Sequence, residues 1–323
     1  MIELGRRAAI GGMLASAAMP ARAADWPSRQ ITWVVPFPAG GSTDVFARPI
    51  AGDVSAALGQ TVVVDNRSGA GGTVGAAQVA RAPADGYTML VGYTGLTYAP
   101  MVYPQPGFDL MRDFVPISAF ARTASVLVVN PERLDVSSLQ QFIEAARRAP
   151  GSIDMASPGL ATVQHFAIVL LQNKTGIELH HVAYRGGPPA MQDLLSGQVA
   201  ALFHSVGAVA PYVNSGKLRA LAVAGRRREA LLPNVPTMEE AGVKDFRAAT
   251  WFGLFAPAQT PAAILDRTHV EVQAALDTDE VKRLWAEQGA KVEPESRADF
   301  TKFVGQEVQR WTAIAKAAGV KME

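Results

Sequence analysis

Residues 31–44 read ITWVVPFPAGGSTD, and the change of character inside that stretch decides the fold. The run Ile31-Thr32-Trp33-Val34-Val35 is β-branched and aromatic, which predicts a strand over 31–35. Pro36 and Pro38 stop it, Gly40 and Gly41 turn the chain, and Ser42, Thr43 and Asp44 lead into a helix-like pattern over 44–58. A glycine pair beside hydroxyls at a strand-to-helix turn suits an anion. Glycine lets the backbone come close, and the helix start adds N–H donors and the positive end of its dipole. Asp44 reads either as a helix-start residue or as a group that holds water or a ligand's amino function.

Outward from this stretch the alternation repeats. Strands are predicted over 61–64 and 88–91 with a helix over 73–82 between them. A second series begins with a strand at 126–129, then a helix over 137–148, a strand over 152–156, a helix over 162–175, a strand over 180–183, a helix over 189–196, and strands over 199–203 and 218–224. The last third carries a segment at 236–241, an aromatic strand over 251–255 and amphipathic helices over 261–276, 280–288 and 297–318. Such alternation predicts βαβ units and a parallel sheet covered on both faces. No Pro/Ser-rich tether separates the two series. We therefore expect two lobes joined by continuous strands, with crossovers near 121–125 and 247–251 and a ligand cleft between. The expected division is 24–124 plus 248–323 for the first lobe and 125–247 for the second.

Composition narrows the class. The 323 residues are 49% hydrophobic and 18% charged with a formal charge of +1, which describes a packed globular chain without a field that would recruit nucleic acid. Cysteine is absent, so disulfides, thiolate metal sites and a cysteine nucleophile are excluded. Arg6-Arg7 precede a mildly apolar stretch over 8–19 that ends at Ala21-Arg22-Ala23. This is the pattern of an export signal cleaved after Ala23, too short to span a bilayer, which needs about 20 apolar residues. The arginine pair fits the twin-arginine route and leaves the Sec route open. Cleavage removes three arginines and one glutamate, so the mature chain is slightly acidic and is expected to be periplasmic, soluble and not itself membrane-spanning.

Two further turns resemble the first in chemistry. Asn66-Arg67-Ser68-Gly69-Ala70-Gly71-Gly72-Thr73 and Tyr93-Thr94-Gly95-Leu96-Thr97-Tyr98 each follow a predicted strand. In an open parallel sheet ligands bind at the carboxyl ends of strands, so the three turns should share one rim. Competing chemistries fail on spacing. Neither glycine-rich turn contains the lysine of a phosphate-binding P-loop, and the dinucleotide fingerprint is broken because Gly75 falls one place late. Phe203-His204-Ser205-Val206-Gly207 lacks the first glycine of a nucleophile elbow, and only His269 follows it; an exported serine hydrolase using Ser205 is the weaker alternative. Among the five histidines, adjacent His180 and His181 on a strand point to opposite faces and cannot clamp one metal. His165 and His204 read as cleft residues or as hydrogen-bonded structural histidines. Arg226-Arg227-Arg228 is too short a run for a nucleic-acid footprint. No cofactor or metal is expected.

Eight segments in order, PFPAGGSTD, VVDNRSGAGGTVGA, ADGYT, ASPGLATVQH, AYRGGPPAMQDLLSGQV, GKLRALAV, LPNVPTMEEAG and WFGLFAPAQTP, make the chain from about Trp26 onward resemble the Bug family of extracytoplasmic solute receptors of the tripartite tricarboxylate transporter type. The resemblance implies an α/β, two-lobed Venus-flytrap fold of the type II periplasmic binding class. It also implies a monomeric, non-enzymatic receptor that closes on a small carboxylate and delivers it to membrane subunits. A receptor that presents its ligand to a signalling partner is the alternative.

By the same resemblance the first two turns hold a carboxylate through Ala39, Gly40, Ser42, Thr43 and Asp44 with Gly71, Gly72 and Thr73. Thr94, Thr97, Ser157, Thr162, His165, Tyr184, His204 and Ser205 would meet the ligand's other end. His204 stands where the family commonly has Asp, which suits an acidic or polar acceptor on the ligand. Tyr98, with Tyr93 and Trp251, raises the prospect of an aromatic ring, so the expected ligand is a dicarboxylate or an aromatic carboxylate.

Overall fold

A computed structural model of the chain describes residues 26–291 and 294–319; the export segment and its cleavage site lie outside the described residues. The first part of the chain forms β1 (Ile31–Val35), α1 (Ser42–Leu58), β2 (Val62–Asn66), α2 (Thr73–Ala80), β3 (Thr88–Tyr93), a 3₁₀ turn (Thr94–Thr97), α3 (Ala99–Val102) and α4 (Leu110–Asp113). β1 lies between β2 and β3, parallel to both. Its side chains feed both faces of the sheet. Ile31, Trp33 and Val35 join one apolar cluster with Phe46 and Ile50 of α1, and Val34 joins a second with Ala76 of α2. That is why the run is apolar without alternation. Fully burying residues of this size is worth roughly 1.5–3 kcal/mol each.

The long strand β4 (Phe114–Val129) then carries the chain out of this lobe. The second lobe follows as α5 (Leu139–Arg148), β5 (Asp154–Ser157), α6 (Val163–Thr175), β6 (His180–Ala183), α7 (Gly187–Leu195), β7 (Ala201–Ser205), α8 (Val206–Asn214) and β8 (Arg219–Val223). β9 (Ala249–Pro257) returns to the first lobe, followed by α9 (Ala262–Leu276), α10 (Asp279–Glu287), β10 (Ala290–Lys291) and α11 (Arg297–Ala318). The strand predicted at 126–129 is thus only the tail of β4. Pro116 and two register shifts, between Pro116 and Ser118 and between Ala119 and Ala121, break the sequence pattern upstream of it. The segment at 236–241 forms turns without a helix or strand.

The sheet order is β2-β1-β3-β9-β4-β7-β5-β6, with β8 and β10 also pairing with β4. Parallel pairing holds for β2-β1-β3 and for β6-β5-β7, while every pairing of β4 or β9 is antiparallel. The expected parallel sheet is therefore corrected to a mixed one. The cause is that the chain crosses out on β4 and back on β9, side by side.

β4 changes partners at one level. Up to Ala124 it pairs with β9, and from Ser125 onward with β7 and β8. There Ser125 N–H donates to the Ala248 carbonyl at 3.0 Å, Ala248 N–H to Ala224 at 2.9 Å, and Ala224 N–H to Ser125 at 2.7 Å. Three crossing segments are tied in one backbone ring. Behind it, Tyr98 meets Phe166 of α6 edge-on at 4.8 Å and Trp311 of α11 at 5.8 Å, so α11 packs against both lobes.

Candidate functional site

The three turns of the first lobe meet because β2, β1 and β3 are neighbours in the sheet. In the first turn Gly40 takes φ +80° and Gly41 caps α1 without a side chain. The opening N–H groups of a helix lack intrahelical partners, and a glycine cap leaves them for whatever binds. Ala39, Gly40 and Ser42 are exposed here, whereas Thr43 and Asp44 are buried. Asp44 is turned inward. Its Oδ2 accepts from Gly40 N–H at 2.9 Å and Arg48 Nε at 2.8 Å, and its Oδ1 accepts from Asn66 Nδ2 at 3.0 Å. Burial opposes its ionisation, but the bonds from Arg48, Gly40 and Asn66 outweigh that and hold the carboxyl below the usual carboxylate range.

The second turn is built almost wholly from left-handed backbone. Gly69, Ala70, Gly71 and Gly72 have φ of +142°, +44°, +59° and +91°. Gly72 N–H donates to the Gly69 carbonyl at 2.9 Å and the Thr73 hydroxyl to the Ala70 carbonyl at 2.9 Å. The Gly72 and Thr73 N–H groups thus turn back onto the bend itself, at the Gly69 and Ala70 carbonyls.

The third turn braces the second. The Tyr93 hydroxyl donates to the Gly71 carbonyl, and a Cβ on Gly71 would stand 2.3 Å from the Tyr103 hydroxyl. Burial, then the nearby Tyr103, pushes the Tyr93 phenol up, so it stays a donor. Thr94 and Thr97 are buried and occupied: Thr94 Oγ1 accepts from Trp251 N–H at 2.8 Å and the Thr97 hydroxyl donates to the Thr94 carbonyl at 2.7 Å.

The second lobe repeats the plan at the ends of β5, β6 and β7. Ser157 Oγ lies 2.7 Å from His181 Nε2 and donates to the Gly159 carbonyl at 3.1 Å. Thr162 caps α6, accepting from His165 N–H at 3.2 Å while its hydroxyl donates to Gly159 at 2.8 Å. Tyr184 N–H donates to the Ser157 carbonyl at 3.1 Å and the Tyr184 hydroxyl to Asp193 at 2.7 Å. Burial, then Asp193, pushes that phenol up to about 12. His204 Nε2 packs on Gly187 so closely that a Cβ there would stand 2.2 Å away.

Two histidines of this lobe are locked by backbone donors. Ser205 N–H donates to His204 Nδ1 at 2.8 Å, and Ala161 N–H donates to His165 Nδ1 at 3.0 Å. A ring nitrogen that accepts carries no proton, so both hold theirs on Nε2. Burial lowers the pKa of His204 to about 4, and burial, then His181, does the same for His165. His181 stacks on His165 with ring centroids 4.1 Å apart, and its pKa is likewise lowered by burial and then by His180. Near neutral pH all three are uncharged.

This geometry does not suit nucleophilic catalysis by Ser205. The ring nitrogen nearest its hydroxyl already takes the same residue's N–H, and a triad needs a base whose other nitrogen is held by an acid. Tyr98 and Trp251 do not offer rings to a ligand either. Tyr98 is 3% exposed between Phe166 and Trp311, and Trp251 is 1% exposed against Phe255, Phe300 and Phe303. Among the described residues no three metal-capable side chains converge, and no helix is long and apolar enough to cross a membrane. A surface cavity of about 540 Å³ between α7 and α8, lined by residues such as Met191 and Tyr212, contains none of the rim residues.

Sequence reasoning left several participants unassigned: Arg48, Asn66, Tyr93 as a brace, Tyr103, His181 and Gly187. Asp44 and Arg48 at i, i+4 were a readable pair; the others become neighbours only through the sheet.

The profile of the tripartite tricarboxylate transporter family receptor matches residues 46–320. The chain is 37% identical over 320 residues to the protein BugT of Bordetella pertussis, covering 98% of each chain. Among solved structures it resembles R. palustris Rpa4515 with adipate (37% identity, TM-score 0.81, 92% of this chain and 100% of that one). It also resembles MatC (Rpa3494) from Rhodopseudomonas palustris with bound malate (31% identity, TM-score 0.78, 90% and 100%).

Proposed function

This chain belongs to the Bug-type tripartite tricarboxylate transporter receptor family, and from that premise we propose that it captures a small aliphatic dicarboxylate outside the cytoplasm. The observation that carries this reading is the start of α1, whose opening N–H groups meet a glycine cap with no side-chain partner, tied through Asn66 to the left-handed second turn over 69–72. A first carboxylate binds there, against the opening N–H groups of α1 and the exposed hydroxyl of Ser42, with Thr43 and Thr73 ordering the two turns. Thr94 and Thr97 serve by holding the third turn and not by touching the ligand.

The second lobe supplies the distal contacts through the Ser205 hydroxyl and the Nε2–H of His204, while Ser157, Thr162 and Tyr184 order that rim through their bonds to Gly159 and Asp193. His165 supports them by closing the turn before α6. A neutral Nε2–H at His204 donates to a second carboxylate, where a carboxylate side chain would instead call for an amino group. With Tyr98 and Trp251 committed to the core, an aliphatic diacid fits this reading better than an aromatic one, and adipate and malate in related structures support that class.

The mechanism is closure about the backbone ring of Ser125, Ala224 and Ala248, with the lobes divided at Ala124/Ser125 and at Arg247/Ala248. A ligand drives closure only through contacts that are better in the closed state, so both rims contribute. The closed form then hands its cargo to membrane subunits. The N-terminal segment through Ala23 directs export to the periplasm.

A thermal-shift series of residues 24–323 with adipate, malate, benzoate and leucine tests this. A hundredfold excess of a true ligand over its Kd adds about 2.7 kcal/mol of stability. A clear rise with a diacid and none with benzoate or leucine is expected. Stabilisation by leucine alone, after unfolding and refolding to strip retained ligand, would overturn the dicarboxylate reading.

A further inference from the structure

Between the first two turns, one side chain reaches across to the other. Asn66 ends β2, at the base of the left-handed turn. One of its Nδ2 hydrogens goes to the Phe37 carbonyl at 2.9 Å and the other to Asp44 Oδ1 at 3.0 Å, while its Oδ1 accepts from Arg48 Nη2 at 2.9 Å. The amide orientation follows from these partners. Turned over, it would face a carbonyl and a carboxylate with oxygen and a guanidinium with N–H. Arg48 closes the ring by donating from Nε to Asp44 Oδ2, which also takes Gly40 N–H.

We infer that Asn66 is the positioning residue that sets the first two turns against each other, and that Arg48 cancels the charge of Asp44 behind the anion site. The inference rests on reading the first rim as that site, as given above. Every hydrogen-bonding role of Asp44 in the structure is internal, so it orders Gly40 from behind and does not meet the ligand. Left uncompensated, its negative charge would oppose a bound carboxylate. Arg48 at 2.8 Å removes that opposition. Asn66 then ties this neutral unit to the start of the second turn, so the donors of both turns keep a fixed separation.

An exchange experiment tests the arrangement. Asn66→Asp sets two carboxylates 3.0 Å apart, and Asp44→Asn deprives Arg48 of its anion. In the double variant Asp44→Asn/Asn66→Asp, one amide and one carboxylate again share Arg48, with only the bond to Phe37 lost. Adipate affinity, read by calorimetry, is expected to fall about 30-fold in Asn66→Asp and about tenfold in Asp44→Asn, and to return to within about fivefold of wild type in the double variant, a coupling typical of residues that share one network. Losses that simply multiply in the double variant would overturn the inference.

Asn66→Ser removes the amide without adding charge, and amide NMR of the ligand-free chain reads it independently of binding. The Gly40, Gly71 and Gly72 resonances are expected to move together in Asn66→Ser. Movement of Gly40 alone would also overturn the inference. If wild type binds no diacid, the ligand reading fails and the NMR arm still decides this one.

Discussion

The first lobe presents backbone where the second presents side chains. After β1 and β2 the chain offers N–H groups from a glycine-capped helix and a left-handed bend, with Asp44, Arg48 and Asn66 working from behind. After β5, β6 and β7 it offers His204 and Ser205, with Ser157 and Tyr184 ordered beside them by bonds to His181 and Asp193. Backbone donors recognise a carboxylate whatever is attached to it. Side chains change by single substitutions. Under the proposed function, the contrast assigns the part of the ligand common to a class to the first rim and the part that differs between members to the second.

The largest effect is expected where that division is attacked directly. His204→Asp places a carboxylate against the distal end of a diacid, and opposed like charges cost several kcal/mol. Competition calorimetry should show adipate affinity down by about a hundredfold or more, with amino acids gaining. An unchanged diacid preference would place specificity outside the second rim.

Acid should also separate the lobes. His204 and His165 are neutral when folded, with pKa values of about 4, against 6.5 for the free side chain. Between those values the unfolded chain binds more protons, so stability falls as pH drops from 6.5 toward 4 and is flat above. Each contributes up to roughly 3 kcal/mol above that window. Asp44 is held below its ordinary value, so the first rim loses its share only under about pH 4. His269 on α9, lowered by burial and only partly offset by its bond to Ile117, adds a smaller first-lobe share to the upper window. Urea unfolding at several pH values, with His204→Gln as the comparison, should show the variant with a flatter slope from pH 6.5 to 4. An identical slope would sink the assignment.

Within the first rim two small substitutions should act in opposite directions. Gly72→Ala forces a side chain onto φ +91° and brings it 3.2 Å from Pro36 and Tyr93. A loss of roughly 1–2 kcal/mol in chemical denaturation is expected, with weakened binding of every carboxylate alike. Ala70→Gly relieves φ +44° and should stabilise the chain by about 1 kcal/mol without changing ligand preference. A changed preference in either variant would break the division of labour between the rims.

Much of this was legible in order along the chain. The run over 31–35, the helix over 297–318 and the turn over 69–72 show themselves through local patterns, because strand, helix and left-handed turn are set mainly by neighbours in sequence. β4 was legible only in part: Pro116 and the register shifts around it interrupt the period that betrays a strand. Tyr98 and Trp251 suggested a ligand-facing ring, since an aromatic in a loop or at a strand start looks the same in sequence whether it faces a cleft or a core.

By itself the sequence determined the alternating α/β elements, the three small-residue turns of the first lobe and, through its eight ordered segments, the receptor family. Only the tertiary structure decided that Asp44 faces inward, that Thr94 and Thr97 are spent on the scaffold, and that His204 is a neutral Nε2–H donor. The physical reason is the same in each case. A side chain's type limits what bonds it can make, but the partner that takes them is separated in sequence by a whole strand or helix, as Asn66 is from Asp44, or is settled by how the backbone presents one N–H, as at Ser205.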